Sequence, residues 1–239
     1  MSPRDPSSLR IVVIQHVPFE GPGTLCRWAE RRSARLQVIR LDRDEALPSP
    51  DAFDALVILG GPMSANDEDR YGWMTEELRL IGSAIERGRA VVGLCLGAQL
   101  MAKVSGARVF RNEHREIGWY PVEATEQGRA VGLPPVFVPF HWHGETFELP
   151  AGAELLASSA ACTNQGFAVD RRVIGLQFHL EVDRASANDM VRHGSADLEP
   201  APFVQSADEI LGVADRFEAL EPVLDDLLEG VVEGELRTA

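Results

Sequence analysis

AVVGLCLGAQLMAK, residues 90–103, is the stretch on which the reading of the whole chain turns. An apolar run over 90–94 meets Cys95 between Gly93 and Gly97, and from about Gly97 the pattern becomes helical. The spacing predicts a buried strand ending at Leu94, a sharp turn carrying Cys95, and a helix behind it. A glycine on each side lets strand and helix approach where a Cβ would collide. Such a turn sets a thiol at the carboxyl edge of a sheet and at a helix N-terminus, where the dipole and free backbone N–H groups favour a thiolate and other anions. The competing reading is a buried structural cysteine.

Upstream, residues 9–15 (LRIVVIQ) form a β-branched run after a Pro/Ser-rich tail, the pattern of a buried first strand. EGPGT at 20–24 breaks the chain before a helix over about 25–34. Strands are expected at 37–40 and 56–59, the second running into Gly60-Gly61-Pro62. Met74, Leu78, Ile81 and Ile85 recur at helical spacing, and Gly88 stops that helix. Strands alternating with helices in this order specify an α/β fold, a mixed and mostly parallel sheet flanked by helices in three layers. Ligands in such sheets bind beyond the carboxyl ends of the strands, where both the glycine loop and Cys95 fall.

After Gly106 shorter strands are expected at 108–111, 119–123, 136–140, 155–158, 166–169 and 173–178, with helical patterning again at about 185–193 and over 207–228. No repeat or linker divides the 239 residues, so the chain reads as one domain with a core of about 9–195. The acidic segment 197–239 is expected to pack as an added helix or two over the surface. Arg27, Arg31, Arg32, Arg35, Arg40 and Arg43 lie among Glu30, Asp42, Asp44 and Glu45, which points to a solvated, charge-balanced face rather than an anion site.

A hydrophobic content of 45% is enough to bury a full core. The net charge of -14 argues against a nucleic-acid backbone as partner, which needs clustered Lys and Arg. Cys26, Cys95 and Cys162 are odd in number and widely spaced, so neither a disulfide framework nor a structural zinc site is suggested, and a reducing compartment fits. No apolar run approaches the ~20 residues needed to span a bilayer. The polar start MSPRDPSSLR lacks the apolar core of a secretion signal. A cytoplasmic protein with no membrane partner is expected.

Gly93-Leu94-Cys95-Leu96-Gly97 has the spacing of the G-x-S-x-G nucleophile elbow. A cysteine nucleophile needs a base, and the base an orienting partner. VIGLQFHLE at 173–181 offers both, because on an extended strand His179 and Glu181 point to one side and leave one imidazole nitrogen free for a thiol. The transition state of acyl transfer also needs oxyanion donors, and the backbone N–H groups of Gly61 and Leu96 are placed to supply them.

Gly60-Gly61-Pro62, the segment from Gly93 to Gln99, and Gln177-Phe178-His179-Leu180-Glu181 resemble, in order and spacing, the signatures of the class I (triad) glutamine amidotransferase domain. The resemblance spans roughly residues 9–195 and is similar in detail to the stand-alone branch related to the glutaminase domain of GMP synthetase. It implies a flavodoxin-like fold, a Cys95-His179-Glu181 triad, and glutamine or another γ-glutamyl amide as substrate. It also implies that Gln99 holds the substrate's amino acid end, that Asn164, Gly166 and Phe167 contact its α-amino and α-carboxylate groups, and that His143 lines the pocket mouth in His-Gly-Glu. Glu116-Ile117-Gly118-Trp119-Tyr120 resembles the family's segment after the elbow helix. One departure is Leu180, where the family usually has a proline that fixes the bend between histidine and acid.

His141 and His143 offer a competing chemistry, a metal with His179 or Glu181 as third ligand. Such a metal would occupy the base, and Phe140 and Trp142 read as packing, so no metal and no organic cofactor is expected. About forty residues follow the matched region, too few for a synthase domain of ~100–200 residues. Ammonia is therefore expected to pass to an acceptor on a separate synthase subunit. The alternatives are a stand-alone γ-glutamyl peptidase or hydrolase, and a non-catalytic partner-binding protein of the same fold.

Overall fold

The computed structural model describes residues 9–234, so the first eight residues and the last five of the acidic segment lie outside it. Its first half runs β1 (Arg10–Gln15), α1 (Leu25–Arg31), β2 (Arg35–Arg40), β3 (Ala55–Ile58), α2 (Met74–Glu86), β4 (Ala90–Leu94) and α3 (Leu96–Val104). The second half runs β5 (Val109–Trp119), β6 (Val122–Ala124), α4 (Glu126–Ala130), β7 (Val136–Phe137), β8 (Phe140–Phe147), β9 (Glu154–Ser159), β10 (Gly166–Asp170), β11 (Val173–Leu176), α5 (Arg184–His193), α6 (Ala207–Leu211) and α7 (Ala214–Glu233).

The central sheet has the order β2-β1-β3-β4-β11-β10-β9-β6-β7. From β2 to β11 every pairing is parallel, and beyond β11 the strands are antiparallel. Because side chains alternate along a strand, each parallel strand feeds two cores. Ile11, Val13, Val57 and Val92 pack with Trp28 of α1 and Leu224 and Leu228 of α7, while Val12, Ile14, Leu56 and Val91 pack with Ile81 of α2 and Leu100 and Met101 of α3. Helices on both faces make the three-layer, flavodoxin-like α/β fold. No helix among the described residues is long and apolar enough to cross a membrane.

The helical patterning over 207–228 is two helices, because the chain leaves helical geometry at Val213 (φ -117°, ψ 80°) after Gly212 caps α6. Nor does α7 lie over the surface: Leu220, Leu224, Leu227, Leu228 and Val231 are all buried and complete one of the two cores. The arginines of α1 balance their charge chiefly on α7, where Arg27 meets Glu221, Arg31 meets Glu221 and Asp225, and Arg32 meets Glu229 and Glu233, at 2.6–3.1 Å. Finally, residues 140–147, where a strand is expected only as far as 140, are β8, which forms a separate two-stranded ribbon with the long β5. The sequence HWHGETF shows no alternation because side chains on both faces of this ribbon are largely buried.

Candidate active site

Cys95 sits at the carboxyl end of β4 with φ 51° and ψ -107°, outside the regions that an L-residue ordinarily occupies. The elbow glycines are required by space: a Cβ on Gly97 would lie 2.2 Å from the Ile58 carbonyl oxygen, and one on Gly93 would lie 2.5 Å from the Gly97 carbonyl carbon. The Cys95 N–H donates to Leu176 O of β11 (2.8 Å) and its C=O accepts from Gln99 N–H (3.1 Å), so the turn is anchored to sheet and helix alike. The thiol, 5% exposed, opens on a cavity of about 590 Å³.

Strand β11 ends at Leu176, two residues earlier than expected, and residues 177–181 leave the sheet to meet β8. His179 N–H donates to Phe140 O at 2.8 Å, fixing the backbone beside the ribbon. His179 Nδ1 lies 2.7 Å from Glu181 Oε1, and the Leu180 N–H donates to Glu181 Oε2 at 3.0 Å. Histidine and glutamate are both buried, and His179 Nε2 has no hydrogen-bond partner among the described residues. Burial alone would lower the imidazole pKa. The Glu181 charge, the Cys95 thiol and the hydrogen bond to Glu181 outweigh it and hold His179 well above the usual imidazole range.

Gly61 lines the same cavity, and a Cβ on it would lie 3.1 Å from Leu96 Cδ2, so the two expected donors belong to touching segments. Gln99 lines the cavity too, its amide donating to Glu145 O (3.3 Å) and Gln177 Oε1 (3.2 Å). Gln177 Nε2 in turn approaches Cys95 Sγ at 3.7 Å. His143 reaches the cavity wall, held by Glu145 O at 3.0 Å and Glu116 Oε2 at 3.2 Å. Asn164, Gly166 and Phe167 are not brought to the cavity lining. The Asn164 amide donates to Phe147 O (2.8 Å), while Gly166 and Phe167 are buried in β10, the Phe167 ring packing edge-on against Phe147.

Glu20, in the EGPGT segment that breaks the chain, also belongs to the site. A Cβ on Gly60 would lie 2.2 Å from Glu20 Oε2 and 2.9 Å from His179 Cε1, so glycine there lets a carboxylate stand beside the imidazole at the cavity edge. Burial pushes the Glu20 carboxyl up to about 6, with the His179 charge opposing and the Glu181 charge adding. Its only sequence signal is an acid just past the carboxyl end of β1, the edge where such sheets bind ligands. Arg70, Arg111, Arg115 and Trp142 also line the cavity, and three of these four lie on the β5–β8 ribbon.

Glu116, His141 and His143 bring one donor atom each within 4.8 Å of one another and are, among the described residues, the group that could hold a metal. His179 and Glu181 are not in that group. Glu116 Oε2 already accepts from Ser159 Oγ at 3.1 Å and Gln165 Nε2 at 2.5 Å. Burial drives His141 down to about 4, keeping it neutral.

An α/β sheet whose carboxyl edge carries a strained cysteine elbow beside a buried His-Glu pair is suited to thiol-dependent acyl chemistry. Residues 23–194 match the family model "Glutamine amidotransferase class-I". The chain is 34% identical over 214 residues to the glutamine amidotransferase-like protein YfeJ of Salmonella typhimurium, covering 84% of this chain and 89% of that one. The structure is similar to that of a glutamine amidotransferase from Thermotoga maritima (TM-score 0.86, 32% identity, 94% of this chain and 98% of that chain). It is equally similar to one from Methylobacillus flagellatus (TM-score 0.87, 32% identity, 98% and 97%). Against the glutamine-hydrolysing GMP synthase of Listeria innocua the identity is 33% over 60% of this chain, which spans 27% of that enzyme's length. The chain belongs to the class I glutamine amidotransferases.

Proposed function

We propose that this chain hydrolyses the γ-amide of glutamine with Cys95 as nucleophile, His179 as acid and base, and Glu181 as the residue that orients His179. The observation that carries the reading is the buried His179–Glu181 pair, whose imidazole interacts with the Cys95 thiol at the elbow that opens on the cavity. The thiolate attacks the γ-carbonyl carbon, and the N–H groups of Gly61 and Leu96 receive the developing oxyanion. As the C–N bond breaks, His179 Nε2–H gives its proton to the departing nitrogen and a γ-glutamyl thioester remains. His179 then takes a proton from water, the hydroxide adds to the thioester carbon, and C–S cleavage returns glutamate and the Cys95 thiolate. None of these steps calls for a metal or an organic cofactor, and a cytoplasmic setting would keep the thiol reduced.

Gln99 and His143 hold the amino acid end in this reading. Asn164, Gly166 and Phe167 act from behind the wall, through the backbone positions they support. Ammonia passes to an acceptor on a separate synthase subunit. A γ-glutamyl peptidase is the second reading, and the cavity favours it: about 590 Å³ lies in the ~300–1,000 Å³ range of pockets that take drug-sized ligands, and Arg70, Arg111 and Arg115 suit a substrate with a further carboxylate. Assay of the purified chain on glutamine and on γ-glutamyl dipeptides, with and without cell extract, separates the two. A higher kcat/KM for dipeptides without extract supports the peptidase, and activity that needs extract supports a synthase partner. Silence on every substrate under both conditions would leave the non-catalytic alternative.

A further inference from the structure

Behind the glycine loop lies a second buried His-Glu pair that the mechanism above does not use. His16, just past the end of β1, is 1% exposed, and Glu77 of α2 is fully buried. His16 Nε2 lies 2.9 Å from Glu77 Oε1, and His16 Nδ1 lies 2.9 Å from the Gly60 carbonyl oxygen. A carbonyl only accepts, so Nδ1 carries a proton. The Nε2–Glu77 contact holds one further proton, and with that proton on Nε2 the ring is an imidazolium facing a carboxylate. Burial opposes that charge, while Glu77, the Gly60 carbonyl and the more distant Glu20 favour it, with the net result that His16 is held above the usual imidazole range.

The Gly60 carbonyl and the Gly61 N–H belong to one peptide unit. That unit is planar and trans, so its C=O and N–H point in opposite directions. A carbonyl fastened to His16 on the buried side turns the Gly61 N–H the other way, and Gly61 lines the cavity that holds Cys95. Gly61 is also wedged between His16 and Leu96, its ideal Cβ position lying 3.2 Å from His16 Cβ and 3.1 Å from Leu96 Cδ2. A cationic donor on the carbonyl further polarises the peptide and strengthens its N–H as a donor.

We infer that His16 and Glu77 are positioning residues that latch the Gly60–Gly61 peptide with its N–H turned toward the thiol, so that the oxyanion hole is formed by this chain alone, without a docked partner. The inference rests on the reading of Gly61 as an oxyanion donor. The latch acts through one peptide, so it should govern kcat and leave glutamine binding and the Cys95 thiol untouched.

Removing one member of a buried pair strands the other, whereas replacing both with apolar groups is often tolerated. The test is therefore the double variant His16→Leu/Glu77→Leu, with Glu77→Gln as the conservative variant that leaves Nδ1–H on the Gly60 carbonyl. Four quantities are read for each: kcat and KM for glutamine, the rate of Cys95 alkylation by iodoacetamide, which needs no oxyanion hole, and Tm. The double variant is expected to lose about 10- to 100-fold in kcat, short of the ~10²–10³ that loss of a whole oxyanion donor costs. Its KM and alkylation rate stay within about threefold of the parent, and Glu77→Gln keeps most of kcat. An unchanged kcat, or alkylation falling in parallel with kcat, overturns the latch while the Cys95 mechanism stands. A parent chain inactive on every γ-glutamyl amide overturns both. Should the double variant not fold, nitrogen-proton NMR of the parent decides, because a His16 Nδ1 without its proton contradicts the latch outright.

Discussion

The Leu180 N–H donates to Glu181 Oε2 at 3.0 Å while Glu181 Oε1 holds His179 Nδ1 at 2.7 Å, so one carboxylate is clamped by the two residues that precede it. A proline at 180 has no N–H and could not make the first of these bonds. The bend that proline would impose is supplied here by a hydrogen bond. Leu180→Pro should therefore cost about 1–3 kcal/mol for the lost donor to a buried carboxylate, in addition to any lost packing. Leu180→Ala keeps the N–H and loses only packing. Comparing kcat and Tm of the two separates these effects, and equal kcat in both would mean that the clamp is dispensable.

Cys95→Ala should lower kcat by ~10⁴ or more with little change in Tm, since one sulfur at the cavity edge carries the chemistry and almost no packing. An electrophilic glutamine analogue should modify Cys95 and spare Cys26 and Cys162, whose thiols burial pushes up. Peptide mapping after labelling reads the result directly.

Within the proposed triad, His179→Ala should cost orders of magnitude in kcat and Glu181→Gln roughly 10- to 100-fold less, because an orienting group is less critical than a base. Small and equal losses at both positions would remove the triad. Prolonged chelation should leave kcat unchanged, since Glu116 Oε2 is already engaged by Ser159, Gln165 and His143. Loss of activity restored by zinc would assign the Glu116, His141 and His143 group a metal.

Glu20 gives a pH dependence with a definite sign. Its carboxyl is raised to about 6 in the folded chain, against an ordinary 4.5, so the folded state binds the extra proton between those values and loses stability as pH rises through the window. Glu20→Gln should accordingly stabilise the protein above about pH 6, by at most ~2 kcal/mol at ~1.4 kcal/mol per pKa unit and less where cavity water screens the charge, and have no such effect below pH 4.5. Thermal melts at pH 4 and pH 7.5 decide it.

Helix α7 should be indispensable. Leu224 is 1% exposed in the core shared with Trp28, so Leu224→Ala is expected to cost ~2–5 kcal/mol and a chain ending before residue 214 to fail to fold. Denaturant titration of the variant measures the first, and a melt as cooperative as the parent's after truncation would contradict the second.

The parallel half of the fold was legible because β1, β3 and β4 are continuous apolar runs, and the elbow because glycines frame its cysteine at fixed spacing. His179 and Glu181 meet as expected, though beyond the end of β11 rather than along it, since the Phe140 carbonyl takes the His179 N–H and draws the chain toward β8. The β5–β8 ribbon was illegible because partners 30 or so residues apart bury Glu116, His141 and His143 in a polar network, which gives no period-2 signal. Glu20, His16 and Glu77 escaped notice for a related reason. His16 and Glu20 share the loop after β1 and Glu77 lies on α2, and only the fold brings that loop, the end of β3 and α2 together.

The most direct test of the Cys95 mechanism is to quench the purified chain during turnover of glutamine in acid and map the trapped adduct by mass spectrometry. The mechanism predicts one γ-glutamyl group on Cys95, formed at the rate of ammonia release and absent from Cys95→Ala. Ammonia released at the parent rate by Cys95→Ala, with no acyl adduct on any cysteine, would contradict it.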